Sequence, residues 1–146
     1  MYSHILIPSD NSPAGTAAME QGVALAKLLG ARVTILHVPQ PFRTLTFSTE
    51  KIAETEDEHR QHERERAEIA QRAEQAASAA GLEVQTIHSE QGHLGKAVTE
   101  TAEAYGCDLV VMPAHENHKL WGKTTLDSDV LALLNKSQLP VLVLHQ

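Results

Sequence analysis

Nine histidines, one cysteine and a few clustered polar residues are the side chains that could carry chemistry in this sequence. Two histidine pairs, His59-x2-His62 and His115-x2-His118, have a spacing that zinc sites tolerate. No cysteine pair or third histidine accompanies either pair at a matching spacing. Both are therefore interpreted as surface histidines, with a metal-responsive site as the alternative. Cys107 precedes an apolar run, which is more typical of a small core residue than of a nucleophile.

A second polar cluster follows the first apolar run, residues 4–8, and reads Ser9-Asp10-Asn11-Ser12-Pro13. Asp10 fits two interpretations equally well, a carboxylate that binds a ligand or the first residue of an Asx turn. Ser12 directly before Pro13 is more typical of a helix N-cap followed by a first-turn proline than of a ligand contact.

Catalytic motifs are missing from the sequence. It contains no G-x-S-x-G nucleophile turn, no Walker lysine loop and no G-x-G-x-x-G loop. No two carboxylates have a spacing that by itself indicates a general acid and a general base. We therefore expect a protein that is not an enzyme and has no catalytic residues.

Five short apolar runs predict the strands that position these residues. The strands are expected to start near Ser3, Arg32, Leu82, Asp108 and Pro140, with a helical segment between each pair. This alternation predicts one α/β domain over residues 1–146, a Rossmann-like sandwich with a five-stranded parallel sheet covered by helices on both faces. Ligands of such sheets bind at the carboxyl ends of the strands, here beside the first strand.

The second helix, from about Glu50 to Ala80, is strongly charged at first and then rich in alanine. Arg66 and Arg72 are predicted to point towards solvent. The side chains predicted to face the core are alanines at helical spacing: Ala67, Ala70, Ala73, Ala77 and Ala80.

Two segments are predicted to be loops, residues 42–48 and the polar stretch from Pro113 to Thr125. Trp121 in the second loop is expected to pack over the sheet end. The last helix is predicted from the apolar spacing of Leu126, Val130, Leu133 and Leu134.

Charge and composition exclude several partners. The chain of 146 residues has 12 basic and 19 acidic side chains and a net charge of −7, which disfavours nucleic acids and anionic membranes. There is no apolar run of about 18 residues and no basic leader, so neither a membrane span nor a signal peptide is expected. A single cysteine favours the cytoplasm.

These elements resemble those of the universal stress protein family over nearly the whole chain. The turn at residues 8–12 looks like the family's P-x-D-x-S motif, and Gly92 followed by Ala97 and Val98 is similar to the start of its third helix. Leu36-His37-Val38 matches the end of its second strand, and the segments from Asp108 to Met112 and from Pro140 to Leu144 match its last two strands. The resemblance implies a five-stranded parallel sandwich, usually dimeric and linked to stress responses.

One branch of that family binds ATP or AMP through a glycine loop after the fourth strand, with the pattern G-x2-G-x9-G-[ST]. Here Pro113, Glu116 and Asp127 align with the three glycines, with one extra residue before Asp127. The resemblance implies that a nucleotide site would be lined by Pro8, Asp10, Ser12, Val38, Met112, Pro113, His115, Glu116, Asp127 and Ser128.

The loss of these glycines opposes phosphate binding. Glycines let backbone N–H groups approach phosphate oxygens, and Pro113 has no N–H. Glu116 and Asp127 add negative charge, and like charges about 4 Å apart repel by about 4 kcal/mol at an effective dielectric of about 20. Lys119, Lys123 and the two loop histidines, His115 and His118, are expected to offset part of this repulsion. We expect no tightly bound cofactor, ATP and AMP included.

The sequence thus favours a cytoplasmic universal stress protein that acts as an interaction or signalling module in stress responses. The first alternative is a sensor that binds ATP or AMP through the altered loop, and the second is a slow ATPase. A metal-responsive module is a third.

The last strand, Val141, Leu142, Val143 and Leu144, suggests how two copies would meet. If this strand lies at the sheet edge, its backbone groups on one side have no partner, and no Lys or Pro blunts it after Pro140. A two-fold contact would pair it antiparallel with its own copy. We therefore expect a homodimer through this strand, as the family resemblance also implies.

Overall fold

The computed structural model of the chain describes residues 1–38, 56–90, 94–114, 116–120, 123–126 and 128–145. The predicted loop at residues 42–48 lies outside these ranges. The elements are, in order, β1 (His4–Ser9), α1 (Pro13–Leu29), β2 (Arg32–His37), α2 (Glu56–Ala80), β3 (Val84–His88), α3 (Leu94–Tyr105), β4 (Leu109–Pro113), β5 (Glu116–Leu120), β6 (Lys123–Leu126), α4 (Ser128–Lys136) and β7 (Val141–Leu144).

Five strands form one sheet in the order β3-β2-β1-β4-β7, and every neighbouring pair is parallel. This confirms the predicted fold class. The strand order reverses between β1 and β4, so the switch point lies beside the first strand, as predicted. It also places β7 at one edge of the sheet, next to β4.

Both faces of the sheet are covered by a buried apolar cluster, because strands in a parallel sheet alternate their side chains between two helical layers. Ile5 and Ile7 of β1 belong to the cluster beneath α1 and α2. Leu6, between them, belongs to the cluster beneath α3 and α4. The two helical layers together hold the carboxyl ends of the strands in place, and the candidate site lies at these ends.

The predicted loop from Pro113 to Thr125 is wrong, because most of it forms an antiparallel hairpin of β5 and β6 that is separate from the main sheet. Leu126 is the last residue of β6, and α4 begins only at Ser128. The missed signal is the two-residue connection Trp121-Gly122, since a glycine in a two-residue connection is typical of a hairpin.

The prediction for α2 is partly wrong. Its buried residues are Ile69, Ala73 and Ala77, whereas Ala67 is exposed. The single isoleucine sets the inward face, because it removes more apolar area from water than any alanine. Arg66 is half-buried and pairs with Glu63 at 3.4 Å. Arg72 does not point freely into solvent, since its Nη1 donates hydrogen bonds to side chains near the start of α1.

Gly22 lets α1 lie directly on β1, because a Cβ at this position would overlap with Cδ1 of the buried Ile7. We expect Gly22→Ala to lower the free energy of unfolding by about 1 kcal/mol, since overpacking outweighs the gain in helix propensity. Gly95→Ala on α3 is the matched control, because its Cβ would meet no described heavy atom within 4 Å beyond its chain neighbours and its own helix backbone. Urea denaturation checks both; equal or greater stability of Gly22→Ala would contradict this packing.

In the part of the chain that the structure describes, no helix is both long and apolar enough to cross a membrane.

Candidate functional site

A small cleft lies where the carboxyl ends of β1 and β4 diverge. Its volume is only about 10 Å³, close to the room that one water molecule needs. Its lining comes from the ends of three strands and the start of α3: Pro8, Ser9, Asp10, Val38, Leu94, Met112 and Pro113. The structure thus brings together five of the residues that the family resemblance implied, and adds Ser9 and Leu94.

Asp10 and Ser12 form the cap of α1. The Asp10 Oδ1 atom accepts hydrogen bonds from the Ser12 backbone N–H at 3.0 Å and from the Ser12 hydroxyl at 2.6 Å. The Ser12 Oγ accepts in turn from the Gly15 N–H at 3.0 Å. The predicted N-cap is confirmed, and the Asx-turn interpretation of Asp10 is confirmed as its structural role.

Gly15 makes this cap possible. A Cβ there would lie 2.6 Å from Asp10 Oδ1 and 3.3 Å from Ser12 Oγ, so a larger residue would displace the carboxylate. Asn11 completes the turn with a φ of 63°, a left-handed conformation that asparagine tolerates. Its side chain joins the turn to α2, since Nδ2 donates to Glu68 Oε2 at 2.8 Å.

The opposite wall of the cleft is apolar and its backbone donors are engaged. Val38 and Met112 are each only 1% exposed, and the Val38 N–H donates to the Ser9 carbonyl at 3.2 Å. Pro113 has no N–H. The next residue, Ala114, donates its N–H to the Leu144 carbonyl at 2.8 Å. The end of β4 therefore offers no backbone donor from these two residues.

A row of polar side chains crosses the last register position of β1, β2 and β3, which sequence reasoning missed. Ser9 pairs with His37, and His37 pairs with His88. The rings of the two histidines meet edge to face, with centroids 5.5 Å apart. Ser9 Oγ and His37 Nδ1 are buried and have no hydrogen-bond partner among the residues that the structure describes. Only the strand register reveals this row, since the three residues are far apart in the sequence.

His37 is 1% exposed and its charge state depends on its surroundings. Burial first, and then the neighbouring His88, lowers the pKa of His37 from 6.5 to about 4. The Arg66 guanidinium and the His62 ring act in the same direction, and the Asp10 carboxylate opposes them. His37 is therefore neutral at pH 7.

The remaining residues of the implied nucleotide site lie beyond β4. Glu116 begins β5 and Ser128 begins α4. His115, Asp127 and the predicted packing residue Trp121 lie outside the described residues. The structure therefore brings together the residues of the implied site that lie at the strand ends. For Glu116 and Ser128, it shows only their positions at the start of β5 and α4.

Within the ranges that the structure describes, no three His, Cys, Asp or Glu side chains are grouped to hold a metal ion. His59 and His62 lie on α2 and each has an interaction partner.

Cys107 is buried near the amino ends of the strands, and burial above all raises its pKa to about 11. The thiol is thus protonated at neutral pH, and Cys107 is the small core residue that its position predicts.

Comparisons with known proteins agree with this architecture. A model of the universal stress protein family matches residues 1–145. Universal stress protein A of Photorhabdus laumondii is 29% identical over 97% of this chain and 94% of its own length.

Two solved structures share the fold. A universal stress protein in complex with cAMP has a TM-score of 0.72 at 19% identity, covering 99% of this chain and 97% of that one. The universal stress protein of Archaeoglobus fulgidus in complex with dAMP has a TM-score of 0.61 at 13% identity, covering 98% and 97%. With the family match over nearly its full length, this chain belongs to the universal stress protein family.

Proposed function

We propose that this protein is a cytoplasmic interaction or signalling module of stress responses that forms a homodimer, has no catalytic activity and holds no ATP tightly. The observation that carries the proposal is the hairpin of β5 and β6, which occupies the segment aligned with the family's glycine loop. A hairpin at this position opposes phosphate binding because it engages backbone N–H groups.

A phosphate loop works by directing several unpaired backbone N–H groups at one anion. In an antiparallel hairpin, the N–H and carbonyl groups between the strands bond to the partner strand instead. The pairs in this hairpin are Glu116 with Leu126, Asn117 with Thr125, and Leu120 with Lys123. Because hydrogen-bonded pairs alternate with pairs that make no backbone bond, the N–H groups of the bonded pairs would have to leave the partner strand before they could bind a phosphate.

The approach to the hairpin supports the same conclusion. Pro113 has no N–H, and the Ala114 N–H is bonded to Leu144. At the amino terminus of α1, the Gly15 N–H already donates to the Ser12 side chain and is not free for a phosphate. A triphosphate would therefore meet few free donors and, from Glu116 and Asp127 in the sequence, additional negative charge.

A second candidate function, a sensor of adenine nucleotides, is favoured by one observation. Ser9 lines the cleft with a buried hydroxyl that has no hydrogen-bond partner in the described part of the chain, next to the Asp10 carboxylate. A buried unpaired polar atom at a cleft indicates a missing water or ligand. The two family structures with cAMP and dAMP show that relatives bind adenine nucleotides. A nucleoside would need the cleft to widen.

The dimer rests on the edge position of β7. Its outer side has no neighbour in the five-stranded sheet, and Leu142 is 40% exposed. Val141 and Val143 pack on the cluster beneath α3 and α4, so the strand is anchored in the fold. An anchored, unblunted edge strand is suited to antiparallel pairing with a second copy.

Thermal unfolding with ATP–Mg²⁺, AMP or cAMP tests the choice between the two functions. For the interaction module we expect no change of Tm at about 100 µM ATP. A ligand present at about 100 times its Kd would add about 2.7 kcal/mol and raise Tm by several degrees. Stabilisation by AMP or cAMP would establish the nucleotide sensor instead, and phosphate release from ATP would establish the ATPase.

A further inference from the structure

A groove of about 660 Å³ runs along the seam between α1 and α2, on the helical layer that covers one face of the sheet. This volume lies within the range of small-molecule sites. The groove shares no lining residue with the cleft between β1 and β4. The described residues that line it all belong to the two helices, and none of them has a part in the function proposed above.

Apolar side chains line most of the groove. Met19 and Val23 are buried, and Ala24, Ala79 and Leu28 are exposed along its length. Leu28 is 84% exposed, so its side chain extends the apolar lining of the groove towards solvent. The space exists because α2 presents short side chains on this side: Ala76, Ala79 and Ala80.

Arg72 lies at the amino-terminal end of the groove and is half-buried. Its Nη1 donates to Asn11 Oδ1 at 2.5 Å and to Thr16 Oγ1 at 3.1 Å. Both acceptors are neutral, and among the described residues no carboxylate pairs with this guanidinium. The two bonds fix its plane and use the donors of one nitrogen only.

The other edge of the guanidinium, formed by Nε and Nη2, makes no hydrogen bond to the described part of the chain. This edge presents two parallel N–H groups, which is the geometry that matches a carboxylate. The remaining charged side chains on the groove are Glu20 and Lys27, both exposed. With Arg72 they give the groove a net charge of +1, whereas the whole chain carries −7.

We propose that this groove binds an aliphatic monocarboxylate of the fatty-acid class, with the carboxylate on Arg72 and the tail along Met19 and Val23 towards Leu28. The apolar lining matches the tail, and the unpaired guanidinium edge matches the head group.

Octanoate is the probe, titrated by calorimetry and by amide NMR, with 1-octanol as the ligand that lacks the carboxylate. We expect chemical-shift changes along the groove for both, and tighter binding of octanoate. Arg72→Gln should weaken octanoate binding about tenfold or more, because charge-assisted hydrogen bonds are lost, and should leave octanol binding unchanged. Arg60→Gln is the matched control, since Arg60 is an exposed arginine of the same helix that pairs with Glu56.

Two substitutions of alanine by leucine test the shape of the groove without changing its charge. Ala79→Leu fills the groove and should abolish binding of both ligands, whereas Ala67→Leu, on an exposed position of α2 outside the groove, should not. Thermal unfolding verifies that each variant folds. Absence of octanoate binding up to about 10 mM, or equal binding by Arg72→Gln, would overturn the proposal. Loss of self-association in Ala79→Leu would instead assign the groove to a second copy and overturn it too.

Discussion

Acidification from pH 6.5 to pH 4 is expected to lower the free energy of unfolding by about 3 kcal/mol through His37 alone. The pKa of this histidine is about 4 in the folded protein and 6.5 for an ordinary histidine. Between these values the unfolded chain binds a proton at this position and the folded chain does not, so stability falls as the pH falls. A difference of this size is a large part of the stability of a small domain.

Several groups surround His37, so the test compares a variant with the native protein. His88 on β3, Arg66 and His62 on α2, and Asp10 in the first turn act on its pKa. The pKa values of His4 and His88 are also lowered, chiefly by burial, and act in the same direction.

His37→Gln should therefore flatten, not abolish, the dependence of unfolding free energy on pH. His145→Gln is the control, because His145 is exposed near the end of the chain. Urea denaturation at several pH values between 4 and 7 gives the slopes. An unchanged slope in His37→Gln would show that His37 is not the group that titrates.

Leu142→Lys is expected to convert a homodimer into monomers. The substitution places a charge on the outer edge strand, where two copies of β7 would pair, and burying unpaired charge in an interface costs several kcal/mol. Leu142 is the informative position because it is 40% exposed, so lysine is tolerated by the folded monomer. Val143→Lys should also give monomers, but Val143 packs on the core and its substitution tests stability as well.

Sedimentation velocity at micromolar concentration distinguishes the dimer from the monomer. Leu131→Lys is the matched control, since Leu131 is similarly exposed at 44% and lies on α4, not on the pairing strand. A native monomer at these concentrations, or an intact dimer in Leu142→Lys, would show that β7 is not the interface.

The sequence contains most of the fold because the decisive signals are local. Ser12 and Pro13 begin α1 as expected, Gly30 ends it with a φ of 66°, and the apolar runs predict the parallel strands. The inward face of α2 was predicted correctly at Ala73 and Ala77, but its first turns differ because Ile69 buries more apolar area than the predicted Ala67.

The candidate site was predictable only in part, for a physical reason. The turn at Asp10 and the strand ends at Val38 and Met112 follow from the chain order of a parallel sheet. The row formed by Ser9 and His37 depends on the register between strands, which short-range patterns do not determine. The partners of Arg72 likewise come from the packing of two helices.

Calorimetric titration of the purified, nucleotide-free protein with ATP–Mg²⁺ tests the proposed function most directly. We expect no binding with a Kd below about 100 µM, which would require about −5.5 kcal/mol from a segment that pairs as a hairpin and lacks all three glycines. A variant with glycine at Pro113, Glu116 and Asp127 should bind more tightly than the native protein. A Kd below about 100 µM for the native protein, or ATP that co-purifies with it, would contradict the proposed function.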